Sequence, residues 1–430
     1  MHVLFVGFVW PEPTSSAAGQ NIISYIKAAQ HNHWQVSFCS AAQITPQSFD
    51  LSSMNVEMFH VQLNCDSFNL KIAALQPDIV IFDRYLSFEQ FAWRVKLTYP
   101  KAMLVLDVED LHCLRAARQA LLRQQNDPLT FMQQSDITQR ANLPLLYNDI
   151  ALREIACVLQ ADLTVVLSGF EKALLIEHFN VPSNQVAHVP FILPGSCEAL
   201  SNTSMNAEHK HNFVFIGNFR HAPNYHAVKI LAEQCWPKIY KALHKDYPNI
   251  SCNVYGAYMS PKAKQLENKK IGFFVHGFTQ HQFTVIQQAR VMLAPISFGA
   301  GVKGKLLDAM QCNTPSVTTP IGYEGITNKP WAGEIASSID EFVVAAIRLY
   351  TDQQKWQQAH QNGQDILLSD YNTQTNRASF INIIDAKIST IKSDRQSNFL
   401  HKMLSHHQFQ TSKYMSQWIE AKSKSSAHDL

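Results

Sequence analysis

The chain has 430 residues, of which 46% are hydrophobic and 16% charged, and its formal net charge is +2. That length exceeds one ordinary core, so two domains are expected. The balanced charge and the lack of a basic stripe give no reason to expect a nucleic-acid partner, and no segment reaches the roughly 18–20 apolar residues of a membrane-spanning helix.

The opening MHVLFVGFVWPEP reads as a buried strand from Val3. It lacks a basic leader, and its apolar run stops at Pro11-Glu12-Pro13 without a small-residue cleavage site, so a signal peptide is not expected. The loop Val9–Asn21 follows that strand. Its small residues and Gly19 either let a ligand approach the next helix or form a plain connection.

Further strands are expected at WQVSFCS (from Trp34), DIVIFD (Asp78), MLVLDV (Met103), LTVVLS (Leu163) and VAHVPF (Val186). A second series follows: FVFIGN (Phe213), SCNVYGA (Ser251), GFFVHG (Gly272), VMLAPI (Val291) and SVTT (Ser316). Amphipathic stretches alternate with these runs, one of them, AVKILAEQCWPKIYKAL, interrupted by Pro237. The pattern predicts two successive doubly wound α/β domains. Pro194–Asn212 has no apolar period and reads as the linker. The segment after Tyr371 and the last thirty-odd residues are helical in pattern, too apolar for a free tail, and expected to pack on the first domain.

In such sheets ligands lie outside the carboxyl ends of the strands. After MLVLDV, the residues Asp107, Glu109, Asp110, His112, Arg115 and Arg118 crowd one strand end. His112 is either structural or a partner for hydroxyls and protons. In FIGNFRHAPN, Gly217 permits close approach, and Asn218, Arg220 and Asn224 supply polar reach. A helix start with Pro223 and a capping Asn224 explains only the end of that stretch. In SFGAGVKGKLLDAM, three glycines and two lysines stand between a strand and a helix. The Gly299–Gly304 amides, with Lys303 and Lys305, suit phosphate oxygens, and Asp308 suits sugar hydroxyls. The plainer reading is a βα turn with solvent-facing lysines and a local Lys305–Asp308 pair.

Eight cysteines are scattered without a C-x-x-C pair, as in a reduced cytoplasmic protein. The pairs His31/His33, His209/His211 and His406/His407 lack supporting metal-ligand spacing and are expected on the surface.

Phe213–Ile326, above all FGAGVKGKLLDAM followed by TPSVTTPIGYEG, resembles the donor domain of GT-B glycosyltransferases of the group-1, family-4 retaining type. VGFVWPEPTSSAAG and LDVEDLHCLR resemble acceptor-domain segments of the same group, so the likeness runs over most of the chain. It implies a Rossmann-like acceptor domain over 1–193, a linker over 194–212, a Rossmann-like donor domain over 213–372, and helices over 373–430 returning to the first domain, the two domains facing a central cleft. The implied substrate is a nucleotide-diphosphate sugar, with no metal or other cofactor. The acceptor is a saccharide, lipid-linked or protein hydroxyl, and peripheral membrane association is left open.

By position, Asp308 matches the second carboxylate of the family's E-x7-E motif, which contacts the ribose. The first carboxylate falls at Ala300, a departure. The resemblance assigns donor binding to Gly217, Asn218, Arg220, Gly299, Gly301, Lys303, Lys305, Asp308, Thr319 and Glu324. It assigns catalysis to His112, Asp110 and Lys305, and the acceptor loop to Ser16, Gly19 and Arg115. Asn313 stands where glycine is usual, and asparagine tolerates the left-handed turn. The implied reaction is sugar transfer with retention. The alternatives are an epimerase of similar shape and a non-catalytic nucleotide-sugar-binding protein.

Overall fold

The computed structural model describes residues 1–125, 130–193 and 209–426. Its strands are, in the first domain, β1 (His2–Gly7), β2 (Gln35–Ser40), β3 (Glu57–His60), β4 (Ile79–Asp83), β5 (Met103–Asp107), β6 (Leu163–Val166) and β7 (Val186–His188). In the second they are β8 (His211–Ile216), β9 (Cys252–Tyr255), β10 (Phe273–Gly277), β11 (Ala289–Ala294), β12 (Ser316–Thr318) and β13 (Gly333–Ile335). They form two parallel sheets, ordered β3-β2-β1-β4-β5-β6-β7 and β10-β9-β8-β11-β12-β13. In each sheet the strand order reverses once, between β1 and β4 and between β8 and β11, and those reversals open the crevices where ligands bind.

Successive side chains of a strand point to opposite faces. Val3 and Phe5 therefore join one buried cluster with Met103 and Val105, while Leu4 and Val6 join another with Leu104 and Leu106. Helices cover both faces, so the central strands read as continuous apolar runs.

The sequence did not signal β3 and β13, which are the short edge strands of their sheets. Neither buries a full face, so neither carries the apolar run that marks a central strand. The helix over Ala222–Leu243 is not broken at Pro237: a π-turn, Leu231–Cys235, widens the coil just before the proline, and the helix resumes at Trp236. Of the expected linker, residues 194–208 lie outside the described residues, and His211 and Asn212 already belong to β8.

The helix Thr373–Ser397 lies on the first sheet, with Phe380 stacked on Tyr25 at 4.4 Å. Asn376 Nδ2 donates to the Phe191 carbonyl at 3.1 Å, and Arg395 grips Asp162 through Nε (2.7 Å) and Nη2 (2.6 Å). The last helix, Phe399–Ser426, continues over the helices Arg84–Thr98 and Asp149–Gln160. No described helix is long and apolar enough to cross a membrane. The seven described cysteines are free thiols, and Cys197 lies outside the described residues.

Candidate active site

The carboxyl ends of β1, β4 and β5 face those of β8 and β11 across a cleft. Ser16, Arg84, Glu109, Asp110 and Arg115 line it from the first domain; Gly217, Asn218, His221, Gly299, Lys303, Lys305 and Asp308 line it from the second. Among the helices that begin at this cleft are Ala17–His31 and Gly304–Gln311. They meet so closely that a Cβ on Gly304 would stand 2.6 Å from that of Ala17. Ser16 caps the first, its Oγ accepting the Gly19 N–H at 3.1 Å. The space over Gly19 is filled by the Glu12 backbone, 2.5 Å from where a Cβ would stand. Gly19 therefore seats the chain's own loop, the plain connection of its two readings.

The glycine-rich turn is held from the opposite domain. Gly301 has φ +65, and a Cβ there would lie 2.8 Å from Asp110 Cβ, so only glycine lets the turn press on the far wall. Its N–H donates to Glu171 Oε1 at 2.8 Å, which removes that amide from any phosphate cradle. The Gly299 carbonyl accepts from Arg118 Nη1 at 2.8 Å.

Lys303 and Lys305 do not face solvent as expected; both are half-buried in the cleft wall. Lys303 Nζ donates to the Gly301 carbonyl at 2.6 Å. Lys305 donates to Asn224 Oδ1 and sits 4.3 Å over the Phe215 ring, so it makes no local bond to Asp308. Burial lowers Lys303 to about 8, and burial together with Lys303 lowers Lys305 to about 7. Burial raises Asp308 to about 7 against the pull of Lys305. An anion placed between these lysines would favour their charged forms.

The opposite wall is acidic. Asp83 and Asp107 are register partners at the ends of β4 and β5. Both Asp107 oxygens are buried without a hydrogen-bond partner; burial, then Glu109 and Asp83, drives that carboxyl well up. Burial and Asp83 raise Glu109 to about 7, and Asn21 Nδ2 donates to its Oε1 at 3.0 Å. Asp110 behaves oppositely: despite burial, Arg115 and His112 hold it at about 2. Arg84 (φ +67) and Glu109 (φ +60) both occupy the left-handed region, and such strain collects at functional sites.

His112 opens the helix His112–Gln124 one step behind this wall. Its Nε2 stands 3.5 Å from Asp110 Oδ1, and its ring meets Tyr85 edge-on at 5.4 Å. Burial lowers it to about 4, so near neutrality the imidazole is uncharged. The amides of His112 and Cys113 donate to the Glu154 carboxylate at 3.0 and 2.8 Å.

Three expected donor residues, Arg220, Thr319 and Glu324, stand off the cleft wall, while Asn224 lines it. Arg220 stacks 3.5 Å over the Tyr258 ring. Thr319 is buried; its Oγ1 donates to the Ile296 carbonyl and accepts the Gly322 N–H at 3.0 Å. Glu324 is taken up wholly by Arg118. Asn224 does not cap its helix: its Nδ2 donates to the Asn218 carbonyl at 2.7 Å, and its side chain fills the space over Gly217. Asn313 takes the left-handed conformation, φ +54, as its position after the helix required.

Sequence reasoning gave no role to Arg84 or His221, both on the wall, or to Glu171 and Tyr258. Arg84 follows a strand directly, a signal that the strand-end rule could have used. Glu171 is the third residue of the helix Gly169–Glu177, capped by Ser168, whose Oγ accepts its N–H. That pattern announces a local cap and conceals a side chain reaching the other domain. Tyr258 Oη donates to Glu12 Oε1 at 2.8 Å, a further contact across the cleft.

Residues 210–352 match the family model for glycosyl transferases group 1. No curated protein matches the chain. Among solved structures, sucrose-phosphate synthase from Thermosynechococcus elongatus aligns with TM-score 0.61 and 14% identity over 91% of this chain and 100% of its own. HepE of Anabaena, in complex with UDP and glucose, aligns with TM-score 0.59 and 13% identity over 90% and 100%. The lipopolysaccharide outer core galactosyltransferase WaaB aligns with TM-score 0.54 and 13% identity over 90% and 100%. The fold that these alignments define is that of the GT-B glycosyltransferases. Within it, the second domain carries the match to the glycosyl transferases group 1 model.

Proposed function

We propose that the protein transfers a sugar from a nucleotide-diphosphate sugar to an acceptor hydroxyl with retention, without a metal, in glycan or polysaccharide assembly. The observation that carries this reading is the pair Lys303 and Lys305 beside the Gly304 helix start, facing Asp110 and Ser16 across the cleft. The lysines and that helix N-terminus take the diphosphate, Asp308 takes the ribose, and Gly217 and Asn218 border the same pocket. HepE was crystallised with UDP, which makes a uridine nucleotide the first donor to test.

In the reaction the acceptor oxygen bonds to the anomeric carbon on the face from which the phosphate oxygen leaves. The carbon–phosphate-oxygen bond breaks, and the hydroxyl proton passes to the departing diphosphate. Lys303 and Lys305 offset the charge that develops there. Asp110, kept ionised, orients sugar hydroxyls, with His112 behind it and Arg115 beside it. Ala300, in place of the first motif carboxylate, favours a second reading, a nucleotide-sugar-binding protein without turnover.

A product assay with a panel of nucleotide sugars and excess chelator tests both readings. Glycosylated acceptor with an unchanged anomeric configuration is expected. Turnover lost in chelator and restored by manganese would remove the metal-free mechanism, and tight donor binding with no transfer to any acceptor would select the second reading.

A further inference from the structure

The helix Phe399–Ser426 is amphipathic in the reverse sense from a helix that covers a core. Among the side chains described, those buried on its inward side are polar. His401 and Ser416 are buried, Ser416 Oγ accepts from Arg94 Nη2 at 3.0 Å, and Ser405 Oγ accepts from Lys96 Nζ at 2.8 Å. Its outward side carries Phe399 (73% exposed), Tyr414 (59%), Met415 (55%) and Trp418 (58%). Apolar side chains of this size, exposed together on one element, mark an interaction surface.

The charges around them indicate what covers it. Along this helix the sequence has Lys402, Lys413, Lys422 and Lys424 against the single Glu420. Lys413 Nζ lies 5.8 Å from the Tyr414 ring centre and Lys422 Nζ 4.8 Å from that of Trp418. Lysine beside tryptophan and tyrosine on one exposed helix face is the composition of a helix lying in a lipid headgroup layer. The cores of protein–protein interfaces are instead depleted in lysine.

We propose that the Phe399–Ser426 helix docks the protein flat on an anionic lipid surface, with Tyr414, Met415 and Trp418 entering the headgroup region. The proposal does not depend on the transfer reaction, and its test needs neither donor nor acceptor.

The full chain is sedimented with phosphatidylcholine vesicles with and without phosphatidylglycerol, beside the triple variant Tyr414→Ser, Met415→Ser, Trp418→Ser. The wild type is expected in the pellet with anionic vesicles only, released by added salt, and the variant to partition at least about ten-fold more weakly. If the triple variant fails to fold by circular dichroism, Lys413→Glu with Lys422→Glu should show the same loss. Wild-type protein left in the supernatant, or folded variants that pellet equally, would overturn the proposal. So would a wild-type dimer that the triple variant converts to monomer, because a second copy would then be what covers this face.

Discussion

Arg118 of the first domain and Glu324 of the second form a two-pronged ion pair closed off from solvent, Nη1 to Oε1 at 2.8 Å and Nη2 to Oε2 at 2.6 Å. The same guanidinium holds the Gly299 carbonyl, so one side chain joins the domains and fixes the glycine-rich turn. Removing one partner strands a buried charge, which costs about 3–5 kcal/mol. Arg118→Ala should therefore lower the urea midpoint sharply. Arg118→Met with Glu324→Leu should recover most of the stability, while donor affinity stays low because Gly299 has lost its anchor. Full donor affinity in the double variant would show that the anchor is dispensable.

Glu171 reports on the same junction through pH. Burial raises its carboxyl from 4.5 to about 8, so between those values the folded protein holds a proton that the unfolded chain releases. Its contribution to stability is whole below about 4.5 and lost as pH rises through about 8. Glu109, Glu154 and Asp308, each raised to about 7, act in the same direction. Buried imidazoles such as His112, lowered to about 4, act the other way, so the test is the difference: between pH 5 and pH 7.5 the melting temperature of Glu171→Gln, which keeps the oxygen that accepts the Leu111 and Gly301 amides, should rise relative to that of the wild type. An unchanged slope would place the titration elsewhere.

Lys305→Ala should weaken binding of a nucleoside diphosphate on the order of ten- to a hundred-fold, the worth of one charge-assisted hydrogen bond. Lys303→Ala should do so as well and also loosen the turn, because Lys303 bonds to the Gly301 carbonyl within it. Calorimetric titration of both variants with UDP is the measurement; wild-type affinity in both would remove the phosphate assignment.

His112→Ala should lower kcat on the order of ten-fold or more while leaving diphosphate affinity near wild type. A histidine that only supports the fold would cost melting temperature, with activity tracking the folded fraction.

The sequence made the central strands legible because parallel strands covered on both faces leave unbroken apolar runs such as VLFV and IVIF. It concealed β3 and β13, whose exposed edges carry no such run. Within the cleft, glycine and lysine after VMLAPI were legible because strand-end position and residue chemistry agree. Arg118 and Glu171 were not, since each works through a partner roughly 130 to 206 positions away, and no local pattern encodes such a contact. Thr319 and Glu324 show the converse: motif position placed them near the donor, while their side chains are spent on the turn and the domain junction.

The close meeting of Gly304 with Ala17 sets two helix origins face to face. Each carries a partial positive charge, so the two ends repel and the joined arrangement works against itself electrostatically. A doubly charged leaving group bound alongside both ends would turn that repulsion into attraction on both sides. Donor binding and domain apposition would then share one free energy: whatever parts the domains would weaken the donor, and by reciprocity the donor would hold the domains together to the same degree.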